Sequence, residues 1–591
     1  MPVQRTVFSI NVLPHDFRHV NRRKTRPIFY PAILTALRRG YHRSDLGSDL
    51  LSGATVGLIA LPLALALGIA SVPVGISSPF PAPAMGMFTA IIAGFLISLL
   101  GGSRVQIGGP TAAFVPIVLL VVEQHGIGGL MLATIMAGII LVIMGLARMG
   151  ALIKFIPWPV TSGFTTGIAV SIISTQASDF LGLHADTPPP REFLEKILWL
   201  GENLPRVNAV NFALAVACVA IIFLWPRLGI KKIPGSIVAM VAATIVVLIA
   251  GLEQGFQVAT IGTKYGANAI PQGLPGVHWP DFSWSHLRDL IGPATAIALL
   301  GAIESLLSAV VADGMTGDRH DSNTELIAQG VANIVCPFFC GLPATGAIAR
   351  TSANITNGAR SPISGIIHSL TLLLIVILFA RGAAFVPVAA MSAVLVVVAF
   401  RMGEWHEMKR LMLMPRSDAL VLLTTFALTV LFDLVIAVEV GMVLAAILFI
   451  KRVSQTTEVS RVTESDVLES PEQLVCGKEI PDGVFVYRIF GPFLFGAAEK
   501  MEDALEGLDR TPRVLILRLH LVSAMDATAL NTLESITERM QKQSATVILS
   551  GLHRQPLDMI RRSGFMDVIG RKNLCAHFDD ALARAQEILK G

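Results

Sequence analysis

The chain has 591 residues, of which 53% are hydrophobic and only 15% charged, and its formal net charge is +4. Soluble globular chains carry about 25% charge, so an ordinary soluble enzyme is excluded. The deficit is uneven: residues 49–450 hold 19 Lys/Arg and 20 Asp/Glu, whereas residues 453–591 hold 16 and 20 in about a third of that length. The composition averages a membrane body and a soluble tail.

In chain order, residues 1–48 come first and carry nine basic residues (Arg5, Arg18, Arg22, Arg23, Lys24, Arg26, Arg38, Arg39 and Arg43) against Asp16 and Asp45. A basic cluster abutting apolar spans reads as a cytoplasmic contact with anionic lipid rather than with nucleic acid. The first 30 residues lack the apolar core of a signal peptide, so none is expected. The five cysteines (Cys218, Cys336, Cys340, Cys476, Cys575) are scattered, which gives no disulfide framework. Cys336 and Cys340 have no accompanying His or second Cys pair, so packing is expected there and no metal.

A bilayer core of about 30 Å needs roughly 20 apolar residues per helical span. Such runs recur at 50–72, 84–101, 110–123, 128–149, 155–180, 208–225, 234–251, 289–311, 324–338, 344–357, 363–380, 384–400, 418–432 and 434–450, about fourteen in all. With the N-terminus cytoplasmic, the inner segments hold 23 Lys/Arg and the outer connections six. That bias predicts an even number of spans with both termini inside.

Two segments stand out within this map. Gln106-Ile107-Gly108-Gly109-Pro110-Thr111-Ala112-Ala113 opens the third span, and Gly341-Leu342-Pro343-Ala344-Thr345-Gly346-Ala347 opens the tenth. They lie seven spans apart, an odd number, so the second is inverted in the membrane. Matched discontinuous helices in inverted halves mark the midplane site of secondary transporters. Helix N-termini present free N–H groups and a positive dipole end, so two aimed at one point make an anion site. Gly109, Ala112, Ala113, Ala344, Gly346 and Ala347 are small enough for an oxyanion to reach the backbone, and Thr111 and Thr345 bring hydroxyl donors.

Glu304 sits in the apolar eighth span, with Ser308 at i+4 on the same helical face. An acid there is a functional candidate. It suits either a Na⁺ site shared with Ser308 and backbone carbonyls, or a protonatable carrier; either cation offsets the bound anion. Glu123 and Glu439 lie nearer span ends and are expected to be solvated, leaving Glu304 as the acid deep in a span. Arg350 lies six or seven residues into the tenth span. It either supplies positive potential to the site or lines the cytoplasmic exit.

The tail alternates short β-branched runs at Val484–Ile489, Val514–Leu519 and Thr546–Leu549 with helical spacing at Glu499–Leu508, Ala527–Gln541, Pro556–Arg562 and Asp579–Leu589. This predicts a small α/β domain.

Over nearly its whole length the chain resembles the SulP anion transporters with a C-terminal STAS domain. The resemblance rests on Asp49-Leu50-Leu51-Ser52-Gly53-Ala54, Ala60-Leu61-Pro62, Gly108-Gly109-Pro110-Thr111, Pro159-Val160-Thr161-Ser162-Gly163-Phe164-Thr165, Gly341-Leu342-Pro343 and Arg350-Thr351. Above all it rests on the run from Thr316 to Gly330, which includes Asp318-Arg319-His320-Asp321-Ser322-Asn323-Thr324-Glu325. It implies a polytopic α-helical membrane protein built as a seven-plus-seven inverted repeat with core and gate domains, followed by a cytoplasmic α/β STAS domain. It also implies a homodimer, an anion held by Thr111, Ala112 and Ala344 to Ala347, and an acid and hydroxyl at Glu304 and Ser308. Where many sulfate-type members have glutamine after the proline of span one, this chain has Leu63, which resembles bicarbonate-type members. The tail is similar to anti-sigma-factor antagonists, whose phosphorylatable hydroxyl falls at Thr528; Asp526 and Thr528 as plain helix caps are the other reading.

The sequence thus predicts a basic segment at 1–48, a transporter domain at 49–452 and a STAS domain at 474–591. The expected function is secondary active transport of a small oxyanion, sulfate or bicarbonate, across a bacterial-type inner membrane by alternating access coupled to H⁺ or Na⁺. No cofactor or nucleic acid is expected, and regulatory proteins are the partners a STAS domain would bring. The alternatives are a dicarboxylate carrier and a channel or sensor signalling through the tail. No nucleophile–base pair, nucleotide loop or metal-spaced His cluster is legible, so an enzyme is not expected.

Overall fold

The computed structural model describes residues 29–590, except 39, 74, 152–156, 184, 186, 191, 229–233, 267, 274–275, 280–286, 411–412, 414, 433, 462–479, 495–499, 502–503 and 506–511. Most of the basic N-terminal cluster, Cys476, the side chain of Glu439 and most of 499–508 lie outside the described residues. The chain divides into two compact units, Met1–Met442 and Val443–Gly591.

The helices before and across that division are α1 Ala32–Arg38, α2 Arg43–Ser71, α3 Ala82–Leu100, α4 Val115–Leu146, α5 Trp158–Leu181, α6 Phe193–Asn203, α7 Ala209–Leu224, α8 Gly235–Ile249, α9 Leu252–Phe256, α10 Ile261–Tyr265, α11 Ile291–Thr316, α12 Ser322–Val335, α13 Ile348–Thr356, α14 Ile363–Phe379, α15 Val388–Met402, α16 Trp405–Arg410, α17 Arg416–Leu431 and α18 Leu434–Thr456. A helix stands at each expected apolar stretch. Among the described residues, six are long and apolar enough by themselves to cross a bilayer. The two runs expected at 110–123 and 128–149 are the two halves of α4, which part at the non-helical Gly126 (φ 66°, ψ −172°). The short helices α1, α6, α9, α10 and α16 fill connections where no apolar period announces them.

Helices meet closely where side chains are absent. A Cβ on Gly138 of α4 or Gly330 of α12 would lie 2.6 Å from the other's carbonyl oxygen, so the two backbones touch directly. This seats α12, and with it the loop leading to the tenth expected span, against α4.

Two acids at the edges of expected spans, Asp49 and Glu325, are interior. Asp49 in α2 is fully buried. Its Oδ1 accepts from Arg360 N (2.7 Å) and Ser361 N (3.2 Å), and its Oδ2 from Ser361 Oγ (2.5 Å) and Tyr41 Oη (2.9 Å). Burial, and then the bond to Asp49, push the Tyr41 hydroxyl up to about 12, so it stays a donor. Asp49→Ala strands these donors in the interior and is expected to cost about 3 kcal/mol. The check is the melting temperature of the purified protein, which should fall; an unchanged value would refute the lock.

Glu325 of α12 is likewise fully buried. It accepts from Gly102 N (2.8 Å), Ser103 N (3.1 Å) and Gln329 Nε2 (2.8 Å). Glu304 is therefore not alone as an interior acid: Asp49 and Glu325 fasten connections while Glu304 faces the broken helices. The α11–α12 connection also forms a serine–histidine–aspartate relay absent from the sequence expectation. Ser322 Oγ lies 2.9 Å from His320 Nε2, and His320 Nδ1 lies 2.7 Å from Asp313 Oδ2. The three residues stand on the end of one helix, a connection and the start of the next, so no residue spacing reveals them.

The first unit holds two short strands, β1 Gly108–Gly109 and β2 Thr345–Gly346, and the second a five-stranded sheet in the order β3-β4-β5-β6-β7. The strands are β3 Glu458–Arg461, β4 Val484–Phe490, β5 Val514–Leu521, β6 Thr546–Ser550 and β7 Leu574–Cys575. β3 pairs antiparallel with β4, and the other pairs are parallel. β5 alternates between the two faces: Leu515, Leu517 and Leu519 enter one core, Val514 and Ile516 the other. Helices α19 Ala527–Lys542, α20 Arg554–Ser563, α21 Phe565–Ile569 and α22 Phe578–Lys590 complete the α/β unit. The strands at 484, 514 and 546 stand where β-branched runs predict them. β3 is short and polar and β7 only two residues long, so neither announces itself, and β3 carries the sheet back to Glu458, ahead of residue 474.

Candidate anion site at two joined helix tips

The two Gly/Pro segments meet. β1 (Gly108–Gly109) pairs antiparallel with β2 (Thr345–Gly346), in the register Gly108↔Gly346 and Gly109↔Thr345. Ile107 O also accepts from Ala347 N (2.8 Å). After β1, a 3₁₀ turn at Ala112–Phe114 leads into α4. After β2, α13 starts at Ile348 and runs only nine residues. Each strand thus feeds a helix tip whose first N–H groups have no intrahelical acceptor: Ala112 and Ala113 on one side, Ile348 and Ala349 on the other.

Polar side chains converge on this joint. Thr111 Oγ1 donates to Glu304 Oε2 (2.9 Å). The adjacent Pro110 carbonyl accepts from Arg350 Nη2. Arg350 is 3% exposed and lies within electrostatic reach of Glu304. An acid and a guanidinium therefore flank consecutive residues of the same turn. Ser308 does not share a partner with Glu304: its hydroxyl donates to Thr351 Oγ1 (3.0 Å), which also accepts from Ile107 N (3.0 Å).

Not every expected donor is free. Thr345 is fully buried and its hydroxyl donates to Gly301 O (2.8 Å). Ala344 is clasped by Asn333, which accepts from its N–H (2.9 Å) and donates to its carbonyl (2.8 Å). Ala347 N–H is spent on Ile107. The structure brings Thr111, Ala112, Ala113, Gly346 and Ala347 together at the joint, while Ala344 and Thr345 build its frame.

Gln106 is a further part of that frame which sequence reasoning passed over. It is 3% exposed and donates from Nε2 to Ser305 O (3.1 Å), beside Glu304. A Cβ on Gly346 would lie 1.7 Å from that nitrogen, and one on Gly109 (φ +146°) 2.6 Å from Arg350 Nη1. Both glycines are required by what presses on them.

A profile described as the sulfate permease family matches residues 46–425, and a STAS domain profile matches residues 477–581. The chain belongs to the sulfate permease family. The Bacillus subtilis protein YvdB, named provisionally as a sulfate transporter, is 39% identical over 543 residues, covering 92% of this chain and 98% of that one. The transmembrane domain of a cyanobacterial bicarbonate transporter, BicA, superposes with a TM-score of 0.60 at 31% identity, covering 67% of this chain and 98% of that one. The murine anion transporter Slc26a9, in an inward-facing state, shares the fold over 99% of both chains with a TM-score of 0.83 at 19% identity. The family is one of transporters, and the α/β tail of this sulfate permease relative is its STAS domain.

In the STAS unit, Asp526 is the N-cap of α19, its Oδ1 accepting from Ala529 N (2.9 Å). Thr528 is exposed in the first helical turn. The capping role falls to Asp526 and leaves the Thr528 hydroxyl pointing away from the core.

Proposed function

We propose that this protein is a secondary active carrier of a small inorganic oxyanion, sulfate or bicarbonate, working by alternating access with proton coupling at Glu304. The observation that carries the reading is the Thr111–Glu304 bond beside the Arg350–Pro110 bond at the joined helix tips. An anion docking on the N–H groups of Ala112, Ala113, Ile348 and Ala349 competes with the Glu304 carboxylate for Arg350. Protonating Glu304 removes the competitor, so anion and proton load together. Sodium coupling needs Glu304 and Ser308 on one ion, and Ser308 is turned to Thr351; proton coupling is the better-supported reading.

The membrane body would work as a homodimer in a bacterial-type inner membrane with both termini cytoplasmic, following the Lys/Arg bias. Phosphorylation of exposed Thr528 would place negative charge at the N-terminus of α19, a favourable site for it, and so offer a regulatory input. Leu63 favours bicarbonate over sulfate, whereas the higher identity to a protein named as a sulfate transporter favours sulfate.

The test is uptake by purified protein in vesicles against labelled sulfate, bicarbonate and dicarboxylates, with pH and Na⁺ gradients varied separately. Saturable accumulation driven by pH is expected. Ohmic current without accumulation would refute the carrier, and dependence on Na⁺ alone would refute proton coupling. Ala112 and Ala347 are 6% and 8% exposed, so Leu at either position fills the space over the helix tips. Ala112→Leu is expected to weaken anion affinity at least about tenfold, roughly 1.4 kcal/mol. Unchanged affinity would argue against the joined-tip site.

A further inference from the structure

The α11–α12 connection gathers three fastenings at one histidine. His320 N–H donates to Asp313 (3.0 Å to Oδ1), Nδ1 pairs with the same carboxylate at 2.7 Å, and Nε2 faces the Ser322 hydroxyl at 2.9 Å. The imidazole is 6% exposed and Asp313 is 24% exposed, so solvent protons reach the pair through the carboxylate. One residue on, Asp321 caps α12 through Asn323 N (3.1 Å) and Thr324 N (2.9 Å), and its own N–H donates to Gly102 O (3.2 Å). Glu325 then holds Gly102 N and Ser103 N. The loop so held continues through Arg104 and Gln106 into β1. His320 therefore sits where the helix bearing Glu304, the helix bearing Asn333 and the strand leading to the anion joint are tied together.

The relay has the geometry of a nucleophile and its base, but hydrolysis is not its use. The N–H groups of Asn323 and Thr324, which would stabilise an oxyanion beside Ser322, are taken by Asp321. Gly150 presses on Ser322 from the other side, since a Cβ there would lie 2.8 Å from Ser322 Cβ.

An imidazole changes charge between about pH 5 and 8. Neutral His320 donates to Asp313 and accepts the Ser322 hydroxyl at Nε2. A proton added at Nε2 makes that nitrogen a donor to Ser322 Oγ and turns the Asp313 contact into an ion pair. The surrounding charges are Asp313 on α11, Glu325 and Asp321 at α12, Arg319 beside it in the chain, the Arg104–Asp318 pair (2.6 Å) after α3, and Arg148 at the end of α4.

We propose that His320 is a proton-sensing latch that tightens this joint on acidification, so that turnover responds to pH on the face where the connection opens, separately from the proton carried at Glu304. The inference goes beyond the transport reading and has a readout that does not depend on it. Gln at position 320 keeps a donor toward Asp313 and an acceptor toward Ser322 but is always neutral; Lys is charged throughout the range.

The full-length protein in lipid vesicles is followed by hydrogen exchange across residues 102–104 and 320–325, corrected for intrinsic rates, between about pH 5.5 and about pH 8. The wild type should show protection falling several-fold as pH rises. His320→Gln should hold the high-pH behaviour and His320→Lys the low-pH behaviour, with no step in either. Ser322→Ala, which removes only the hydroxyl, should retain a step with a displaced midpoint, and it keeps the test readable if either His variant folds poorly. Labelled sulfate and bicarbonate exchange, measured with pH set independently on each face, should fall at least about threefold as one face is acidified from about pH 8 to about pH 5.5, and not when the other is. A step that survives in His320→Gln overturns the latch. A step in protection with no matching change in exchange rate overturns its control of turnover. Absence of any transport in all proteins, with the protection step intact, counts instead against the carrier reading.

Discussion

Glu304→Gln is expected to abolish pH-driven accumulation while leaving anion exchange and the fold in place. Each pH unit of gradient is worth about 1.36 kcal/mol per proton, or a factor of ten. A one-proton carrier held at zero membrane potential across about two pH units therefore accumulates its anion about 100-fold, and the variant should accumulate none. Gln has the shape and charge of the protonated acid, so Thr111 keeps a partner and Arg350 loses its competitor. The anion should still bind and exchange for anion. Accumulation that persists in the variant would remove Glu304 from coupling. Loss of both accumulation and exchange, with normal melting, would make Glu304 a part of the anion site itself.

Gly346→Ala is expected to reduce transport at least tenfold, because its Cβ would fall 1.7 Å from Gln106 Nε2 and 3.2 Å from Ser305 Cα. Gln106 cannot swing away freely: it is buried and bonded to Ser305 O at 3.1 Å. Overpacking of this kind costs about 1–3 kcal/mol. It falls here on the residue beside Glu304 and on the strand beside Thr345. The clash names its own remedy. In a Gln106→Ala background the added methyl has room, so the double variant should recover more than half of the lost rate. Two losses that simply add would show that Gly346 and Gln106 do not press on one another.

The membrane helices were legible because apolar runs of bilayer length leave little choice of structure, and the two Gly/Pro segments were legible because they interrupt such runs at matched places. Their pairing as β1 and β2 was not, since two-residue strands carry no period. Glu304 and Ser308 share a helical face in sequence, yet one bonds Thr111 and the other Thr351. Helical spacing fixes the face of a residue but not which neighbour reaches it. Asp49 and Glu325 look like span-end acids because burial depends on loops folding back over them. Arg350 was open between two roles. Its place beside Pro110 depends on the register of β1 against β2, which the chain alone does not state. Thr345 looks like an anion donor from its neighbours, and only the approach of Gly301 O shows that its hydroxyl is taken.

The joint between β1 and β2 is made of main-chain bonds, and the groups proposed to touch the anion are main-chain N–H groups as well. Both need glycine where Gln106 and Arg350 press on the backbone, but neither uses a side chain as its grip. Selection can then alter the charge and size of the cargo through neighbouring side chains such as Leu63 without rebuilding the cradle. A scaffold whose grip is generic and whose preference is peripheral offers short mutational routes between substrates, so relatives named for different anions can share one frame.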